Sequence, residues 1–249
     1  MLLLCCPTLC ESVVVVNWSK STVTRSTGSS VLVAADPEWL PGSKMHNTAV
    51  AGVRRLAEAG ASYIRLLNFN IFPGISCAQL KQGEWDFTLM DLVMDDFMTA
   101  AGNSSVIIDI ETSPAWMWSD AGPKNTETCS SDTSIELPVG TRTRCPFYGN
   151  VSVPRDPTWK EIAEYYNHVA QWYTNGGFTD PNTGKAYTSG HHYKIDYWEI
   201  LNEVKNSREH GMDSHAVIDF YDVQASALAA ATKIDGSPVA SKLMGTSFC

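Results

Sequence analysis

The sequence predicts an α/β chain of the (β/α)8 TIM-barrel type, of which strands 1–4 and the start of strand 5 are present. Apolar runs of strand length alternate with segments of helical periodicity, and this rhythm implies parallel strands joined by helical crossovers. A doubly wound open sheet has the same rhythm. Such sheets usually bind nucleotides through a glycine-rich first turn, however, and no G-x-G-x-x-G or G-x-x-x-x-G-K-[ST] motif follows a predicted strand. The 249 residues approach the roughly 250 of a whole barrel, but about 40 of them, from Trp118 to Pro157, form one long polar loop.

Five segments of strand length and strand composition predict the strands. In chain order they are Ser30–Ala35, Ser62–Asn68, Ser105–Ile110, Tyr193–Leu201 and Lys242–Phe248. We assign residues 30–249 to the N-terminal part of the barrel. Residues 1–29 form a separate N-terminal segment, interpreted as a partial secretory signal followed by an outer strand.

Four segments between these strands carry apolar residues at helical spacing. Asp86 is expected to cap the second helix, Asp156-Pro157 to open the third, and Gly60, Gly102 and Gly176 to stop the first three. The predicted helices are Ala49–Gly60, Asp86–Gly102, Asp156–Gly176 and Asp213–Lys233.

The composition excludes several classes of protein. Lys and Arg total 18 against 27 Asp and Glu, for a formal net charge of −9, whereas nucleic-acid binding relies on clustered positive charge. The longest unbroken apolar stretches, such as Val13–Val16, are too short to span a membrane. Hydrophobic residues make up 44% of the chain, which indicates a globular protein rather than a disordered one.

The cysteines and the glycosylation sequons bear on whether the protein is secreted. The seven cysteines leave at least one unpaired. Three of them fall within Met1–Cys10, which is similar to the end of a secretory signal but lacks a basic start. Cys129 and Cys145 flank a polar loop that a disulfide would stabilise. We expect a secreted or extracellular protein, although the three sequons, at Asn17, Asn103 and Asn150, are close to the roughly two expected by chance.

The candidate chemistry lies at the end of the fourth strand, in the run Trp198-Glu-Ile-Leu-Asn-Glu203. In a barrel, the carboxyl ends of the strands carry the active site. Desolvation beside Trp198 and Tyr197 would raise the pKa of Glu203, so that it could serve as a general acid. Taken alone, an Asn-Glu pair before a polar loop is more typical of a solvated turn.

The run Tyr197–Glu203 resembles the strand-four motif of clan A retaining glycoside hydrolases, which are (β/α)8 barrels. Further stretches resemble the family 39 branch of that clan, which includes β-xylosidases and α-L-iduronidases. These stretches are Ala59–Leu67, Glu84–Asp91, Val106–Trp116 and Ser189–Ile195.

The resemblance implies roles for particular residues. Glu203 would be the catalytic acid/base, and Asn202 would contact the sugar 2-hydroxyl. Arg65, late in the second strand, matches the arginine that supports the nucleophile in this clan. On the alternative interpretation, Arg65 belongs to a structural ion pair, because a buried arginine needs a carboxylate partner. The expected substrate is a carbohydrate, and no cofactor is implied.

Other polar and aromatic residues leave two interpretations open. Trp116 is either a sugar-stacking platform or an aromatic cap on the core. Of the adjacent histidines we expect His192 to line the cleft and His191 to pack, because neighbouring strand residues face opposite ways and make a poor metal site. We expect Glu111 to cap a turn and Glu199 to pair inside the barrel wall.

One part of the retaining mechanism has no counterpart among these residues. That mechanism uses a second carboxylate as nucleophile, which in this clan is a glutamate at the end of strand seven. No residue of this chain is assigned that role, so we expect the chain by itself to be inactive. The alternatives are a non-catalytic carbohydrate-binding or interaction module and an inactive fragment.

Overall fold

The computed structural model describes residues 29–34, 39, 42–69, 78–110, 113–119, 153–201, 213–231, 233–234, 237–238 and 242–244. Four helices and several short strands occupy these ranges. In chain order the elements are strand β1 (Ser29–Ala34), helix α1 (His46–Glu58), β2 (Ala61–Phe69), β3 (Gln79–Lys81), β4 (Glu84–Trp85), α2 (Thr88–Ala101), β5 (Ser105–Ile110), a 3-10 turn (Ala115–Met117), α3 (Lys160–Thr174), β6 (Gly177–Thr179), β7 (Ala186–Thr188), β8 (Tyr197–Ile200), α4 (Ser214–Ala231), β9 (Lys233–Ile234), β10 (Ser237–Pro238) and β11 (Lys242–Met244).

Five of the described strands form one sheet in the order β1-β2-β5-β8-β11. Every neighbouring pair in it is parallel. The spatial order follows the chain order, whereas a doubly wound sheet reverses its strand order at a switch point. The protein is therefore a mixed α/β chain whose described sheet is wound in one direction, as the sequence predicts. Closure into an eightfold barrel remains a prediction.

The helices pack on one face of this sheet. Sequential parallel strands joined by right-handed crossovers place all their helices on the same side. Accordingly, α1 packs on β2, α2 packs on β2 and β5, and α4 packs on β8 and β11. The strand residues on this side are apolar and fully or almost fully buried in the main core: Ile64, Leu66, Val106, Ile108, Ile110, Trp198 and Ile200. Each such large side chain contributes about 1.5–3 kcal/mol by leaving water.

The opposite face of the sheet, here called the inner face, is built differently. Because side chains alternate along a strand, it carries Leu32, Tyr63 and Arg65, and Leu32 is 54% exposed. Tyr63 and Tyr197 lie on neighbouring parts of this face, with ring centroids 6.1 Å apart. Charged and aromatic side chains thus collect on the side away from the helices.

The predicted helices are confirmed, with shifted ends. Helix α1 begins at His46, three residues before the predicted start. Asp86 Oδ1 accepts the N–H of Thr88, the first residue of α2, at 2.9 Å. Asp213 Oδ1 likewise accepts two N–H groups at the start of α4, from His215 and Ala216. Asp213, directly before α4, therefore caps that helix start. The prediction that Asp86 caps α2 is wrong, because Phe87 is the N-cap residue and Asp86 lies one residue further out.

The fourth predicted strand, Tyr193–Leu201, is longer than the observed one. Strand β8 begins at Tyr197. Directly before it the Asp196 N–H still donates to the Val106 carbonyl of β5 at 3.1 Å, but at the predicted start the backbone bonds to a helix. The Tyr193 N–H donates to the Tyr173 carbonyl, near the end of α3, at 2.8 Å. The carbonyl groups at the end of a helix lack partners within the helix. The Tyr173 carbonyl therefore accepts the hydrogen bond of Tyr193, a residue of the predicted strand.

Among the described residues, the structure contains three two-stranded antiparallel hairpins that the sequence does not predict: β3–β4, β6–β7 and β9–β10. The first two join the core through aromatic rings. Trp85, at the end of β4, lies with its ring centroid 4.9 Å from Phe178 of β6 and 5.8 Å from Tyr165 of α3. This aromatic contact ties both hairpins to α3.

Gly177→Ala is expected to destabilise the protein by about 2–4 kcal/mol. Gly177 has φ +136°, and a Cβ atom there would lie 2.1 Å from the Tyr187 carbonyl oxygen across the β6–β7 hairpin. The matched control is Gly52→Ala in α1, where a Cβ meets nothing within 4 Å and alanine should stabilise by about 1 kcal/mol. Urea unfolding measures both, and equal effects of the two substitutions would contradict this account.

Several sequence predictions fall outside the described residues. They are the outer strand in residues 1–28, the Cys129–Cys145 loop, and the sequons at Asn17 and Asn150. Asn103, the remaining sequon residue, is exposed in the turn after α2. Within the described ranges, no helix combines the length and the apolar character needed to cross a bilayer.

Candidate active site

Strand β8 ends at Ile200, and Leu201 follows it at the carboxyl edge of the sheet. The Leu201 N–H donates to the carbonyl of Ile110, the last residue of β5, at 3.1 Å, and the Leu201 side chain is buried. Its φ of 60° is left-handed, a conformation that costs a leucine about 1–3 kcal/mol. Asn202 and Glu203 lie outside the described residues, directly after this one. The motif therefore begins where parallel strands present functional groups.

Three charged side chains meet on the inner face, one from each of three adjacent strands. Arg65 of β2 donates from Nε to Glu199 Oε2 of β8 at 2.5 Å. Arg65 also places Nη2 3.8 Å from Asp109 Oδ2 of β5. We call these three residues the inner-face charge cluster. Both carboxylates are almost completely buried, and the arginine side chain is 16% exposed.

Strand register explains this meeting. Asp109 and Glu199 are direct cross-strand partners, whereas Arg65 is paired with Ile107, two residues nearer the amino end of β5. The arginine side chain must therefore reach toward the carboxyl edge to bind Glu199. The sequence predicts that Arg65 lies late in its strand, but the structure places it at the middle of β2. The long arginine side chain spans the remaining distance to Glu199.

The cluster fits the second interpretation of Arg65 and the expectation for Glu199. Burying a carboxylate without a partner is costly, and a guanidinium that contacts two carboxylates offsets that cost. The structure thus shows the ion pair that a buried arginine needs. Whether Arg65 also supports a catalytic nucleophile stays a prediction.

Trp116 lies beside the β3–β4 hairpin. Its Nε1–H donates to the Gln79 carbonyl at 2.9 Å, and the Arg155 guanidinium carbon lies 4.6 Å from its ring centroid. The indole packs against the core and lines a cavity of about 490 Å3. Arg155 covers one face of the ring, so any sugar would have to stack on the other.

His192 is not brought together with Arg65 or with the end of β8. It lies in the segment before β8, at the opposite end of the strand from Leu201. Its ring packs so closely on Gly176 that a Cβ atom there would be 2.7 Å from His192 Cε1. It lines a separate cavity of about 440 Å3 that includes Asp196, the residue just before β8.

His191 packs, as predicted, although not from a strand. Its Nε2 lies 3.5 Å from Asp91 Oδ1 of α2, and its ring stacks on Tyr193. Burial raises the pKa of Asp91, against hydrogen bonds from Trp172 and Tyr173 and the charge of His191, which lower it.

Glu111 lies outside the described residues. In the part of the chain that the structure describes, no group of three or more His, Cys, Asp or Glu side chains is placed to hold a metal ion.

The cavity beside Trp116 contains polar residues that the sequence does not single out. We call it the outer cavity; it lies between α3 and the β3–β4 and β6–β7 hairpins, and its lining includes Trp85, Glu164, His168 and Asp180. Burial lowers the pKa of His168 to about 4, although the charge of Asp180 opposes the shift. Burial also raises the pKa of Glu164, and the nearby Asp180 charge adds to that shift.

The pKa of Asp180 is lowered, whereas that of the neighbouring Glu164 is raised. Burial alone would raise its pKa, but hydrogen bonds from Trp85 Nε1 and from the Asn182 and Thr183 N–H groups outweigh burial and lower it. Those bonds measure 3.0, 2.9 and 3.2 Å. Asp180 is therefore held as a carboxylate that fixes the turn between β6 and β7.

His168 should make folding stability depend on pH. Because its pKa of about 4 in the fold lies below the usual 6.5, the unfolded chain binds more protons between these values. Stability is therefore lost as the pH falls through this window, by about 1–2 kcal/mol between pH 7 and pH 5.

Urea unfolding at pH 7 and pH 5 tests this prediction with two variants. His168→Phe, which keeps a ring stacked on Phe178, should flatten the pH dependence, while replacement of the exposed His215 by Gln should leave it unchanged. A pH dependence as steep in His168→Phe as in the unmodified protein would show that another group controls this window.

Asp109 and the outer cavity are the features that sequence reasoning missed. For Asp109 the sequence does contain a signal, in the run Ser105-Val-Ile-Ile-Asp-Ile110. Because side chains alternate along a strand, Asp109 must lie on the same face as Ile107 and on the opposite face from Val106 and Ile108. The outer cavity has no such signal. It depends on two hairpins that come together only in the fold.

Comparisons with known proteins leave the family open. A scan against protein-family models finds no match, and a search of curated proteins finds none either. Among solved structures, the chain is similar to the β-galactosidase from the psychrophilic Marinomonas ef1, with a TM-score of 0.38 and 20% sequence identity. The similarity covers 74% of this chain and 23% of that one. Membership of clan A or family 39 stays a prediction.

Proposed function

We propose that the chain belongs to the catalytic domain of a retaining O-glycosidase of clan A, similar to the xylosidases of family 39. The observation that carries the proposal is the position of the motif. The run Tyr197-Trp-Glu-Ile200 forms a parallel strand, and Leu201 follows it at the carboxyl edge of a sheet wound in one direction. Asn202 and Glu203 are the next two residues of the sequence. Barrel enzymes carry their catalytic groups at this edge.

In this proposal Glu203 acts twice. It first donates its proton to the glycosidic oxygen as the bond from that oxygen to the anomeric carbon breaks, while a second carboxylate bonds to that carbon. Its carboxylate then removes a proton from water, whose oxygen attacks the anomeric carbon and releases the second carboxylate. Asn202 holds the sugar 2-hydroxyl, and Arg65, which the resemblance matches to the arginine beside the nucleophile, supports that second carboxylate.

The described carboxylates of the inner face are not assigned the nucleophile's role. Asp109 and Glu199 are buried and both contact Arg65, whereas a nucleophile must reach the anomeric carbon from about 5–5.5 Å across from the acid/base. The nucleophile therefore lies elsewhere in the proposal. His192 has no part in it, because it lies at the other end of β8.

Purified protein that contains this chain, together with any sequence that adjoins it in the native product, tests the proposal. It is incubated with aryl β-xyloside and with other aryl glycosides, and release of the phenol is followed. Enzyme-like turnover of one of them supports a glycosidase. Saturable saccharide binding without turnover indicates the non-catalytic carbohydrate-binding module instead, and neither binding nor turnover rejects both functions.

A further inference from the structure

The sequence contains a single Asn-Gly pair, Asn175-Gly176, and it lies between the end of α3 and the start of β6. We call these two residues the α3–β6 corner. Asparagine is a thermolabile residue, and it deamidates most readily before glycine, which has no side chain to shield its backbone nitrogen. The corner therefore holds a pair that can react without any enzyme.

Deamidation at this pair takes two steps and consumes one water. The Gly176 N–H loses its proton to a base in solution, and its nitrogen bonds to Asn175 Cγ. The bond from Cγ to Nδ2 breaks as Nδ2 takes up a proton and leaves as ammonia. Water then opens the succinimide ring at either carbonyl carbon, which gives aspartate or isoaspartate. A neutral amide is thus replaced by an acid that is ionised at pH 7.

The fold keeps the two reacting atoms apart. Asn175 Nδ2 donates to the carbonyl of Ala231, the last residue of α4, at 2.7 Å, so the side chain is held toward α4. The ψ angle of Asn175 is 1°, which eclipses the Gly176 nitrogen with the Asn175 nitrogen and turns it away from Cβ. Ring closure therefore requires rotation about this ψ angle.

Contacts of Gly176 oppose that rotation. Its carbonyl accepts the Ser189 N–H at 2.9 Å. The His192 ring lies so close that a Cβ atom at Gly176 would be 2.7 Å from His192 Cε1. Rotation about the Asn175 ψ angle would move the whole Gly176 peptide and break both contacts, so the reaction needs local opening of the corner.

The product would hinder reclosing. The Ala231 carbonyl is buried, and it would face a carboxylate oxygen in place of the Nδ2 donor. Leaving a buried acceptor unsatisfied is costly. The new charge would also lie at the C-terminal ends of α3 and α4, where the helix dipoles disfavour negative charge.

We propose that Asn175-Gly176 is a deamidation site that the fold controls: the closed α3–β6 corner suppresses the reaction, and local opening of the corner starts it. Chains that have reacted carry a carboxylate at position 175 that opposes reclosing. The modification therefore accumulates in chains that have opened. This inference uses none of the proposed catalytic residues, so it and the glycosidase proposal can fail separately.

Incubation in water that carries a heavy oxygen isotope tests the site, because every deamidation during the incubation leaves labelled oxygen at position 175. Proteolysis and mass spectrometry then measure labelled aspartate and isoaspartate there, in the folded protein and in the protein unfolded by urea. The rate is expected to be at least tenfold lower in the folded protein. A difference below threefold, or no reaction in urea, would overturn the proposal.

Substitution of Asn175 by Asp tests the effect of the product. Asn175→Asp should lower the urea concentration at the unfolding midpoint, whereas Asn47→Asp, at an exposed position in the first turn of α1, should not. A midpoint unchanged in Asn175→Asp would contradict the claim that the carboxylate opposes reclosing.

Three further variants distinguish local opening from global unfolding, with CD to check that each is folded. His192→Ala removes the ring beside Gly176 and should raise the rate in the folded protein at least threefold. His215→Ala removes an exposed histidine of α4, and Val53→Ala truncates a core residue of α1. Each of these two should change the rate less than twofold. An unchanged rate in His192→Ala, or an equal rise in Val53→Ala, would show that the contacts of the corner do not control the reaction.

Discussion

Replacing Arg65 by Met is expected to lower the free energy of unfolding by about 3–5 kcal/mol. The substitution keeps a side chain of similar length but removes the guanidinium that binds Glu199 at 2.5 Å and approaches Asp109 at 3.8 Å. Two almost completely buried carboxylates then lose the cation that offsets their desolvation. Urea denaturation at pH 7, with CD to check that the variant folds, measures the loss.

A double-mutant cycle separates the ion pair from simple packing. If the ion pair causes the loss, adding Glu199→Gln to Arg65→Met should recover part of the lost stability, because the double variant buries one carboxylate fewer without its arginine. The exposed Arg54 of α1 provides the matched control, since Arg54→Met should change stability by less than about 0.5 kcal/mol. A loss below about 1 kcal/mol in Arg65→Met would show that the cluster is screened by solvent.

Replacing Glu203 by Gln is expected to lower kcat about 10²–10⁴-fold for glycosides with poor leaving groups. Glutamine has the shape of the protonated glutamic acid but has no acidic proton to give to the departing oxygen. Glycosides of acidic phenols such as 2,4-dinitrophenol need little protonation, so their first step should be affected far less. Steady-state rates across a series of aryl glycosides, plotted against the pKa of the phenol, measure this difference.

The control for this series is Glu209→Gln, which removes another glutamate a few residues further along the chain. That variant should retain the rates of the unmodified protein for every phenol. If Glu203→Gln also retained them, or lost activity equally for all leaving groups, Glu203 would not be the acid that assists their departure.

Periodicity alone accounts for much of the fold. Strand β5 has the predicted bounds Ser105–Ile110, because its apolar run is continuous and is bounded by turn residues. Strand β2 extends the prediction by one residue at each end. Asp213 caps the start of α4 through two adjacent N–H groups. Features of this kind depend on a few adjacent residues, so they are visible in the sequence.

The elements that sequence reasoning missed depend on distant partners. The β3–β4 and β6–β7 hairpins are short and show no clear alternation, and they are held by the contacts of Trp85 with Phe178 and Tyr165. Partners so far apart in the sequence cannot be assigned from spacing. For the same reason, the prediction that His192 lines the cleft finds no support in the structure, since it rested on a strand that begins only at Tyr197.

Within the candidate site, the sequence identified Arg65 and Glu199 separately but not as a pair. Each is an isolated charge in a strand, and only the register between β2, β5 and β8 shows that they share a face with Asp109. The motif residues Asn202 and Glu203 rest on the resemblance and on the position of Leu201.

The most direct test of the proposed acid/base adds azide to Glu203→Gln acting on a reactive aryl glycoside and identifies the product by NMR. Azide is a nucleophile that needs no general base, so it should attack the glycosyl-enzyme and restore turnover that water cannot sustain. The account predicts a glycosyl azide with the anomeric configuration of the substrate. Turnover unchanged by azide, or a glycosyl azide of inverted configuration, would contradict the assignment of Glu203 as the acid/base of a retaining glycosidase.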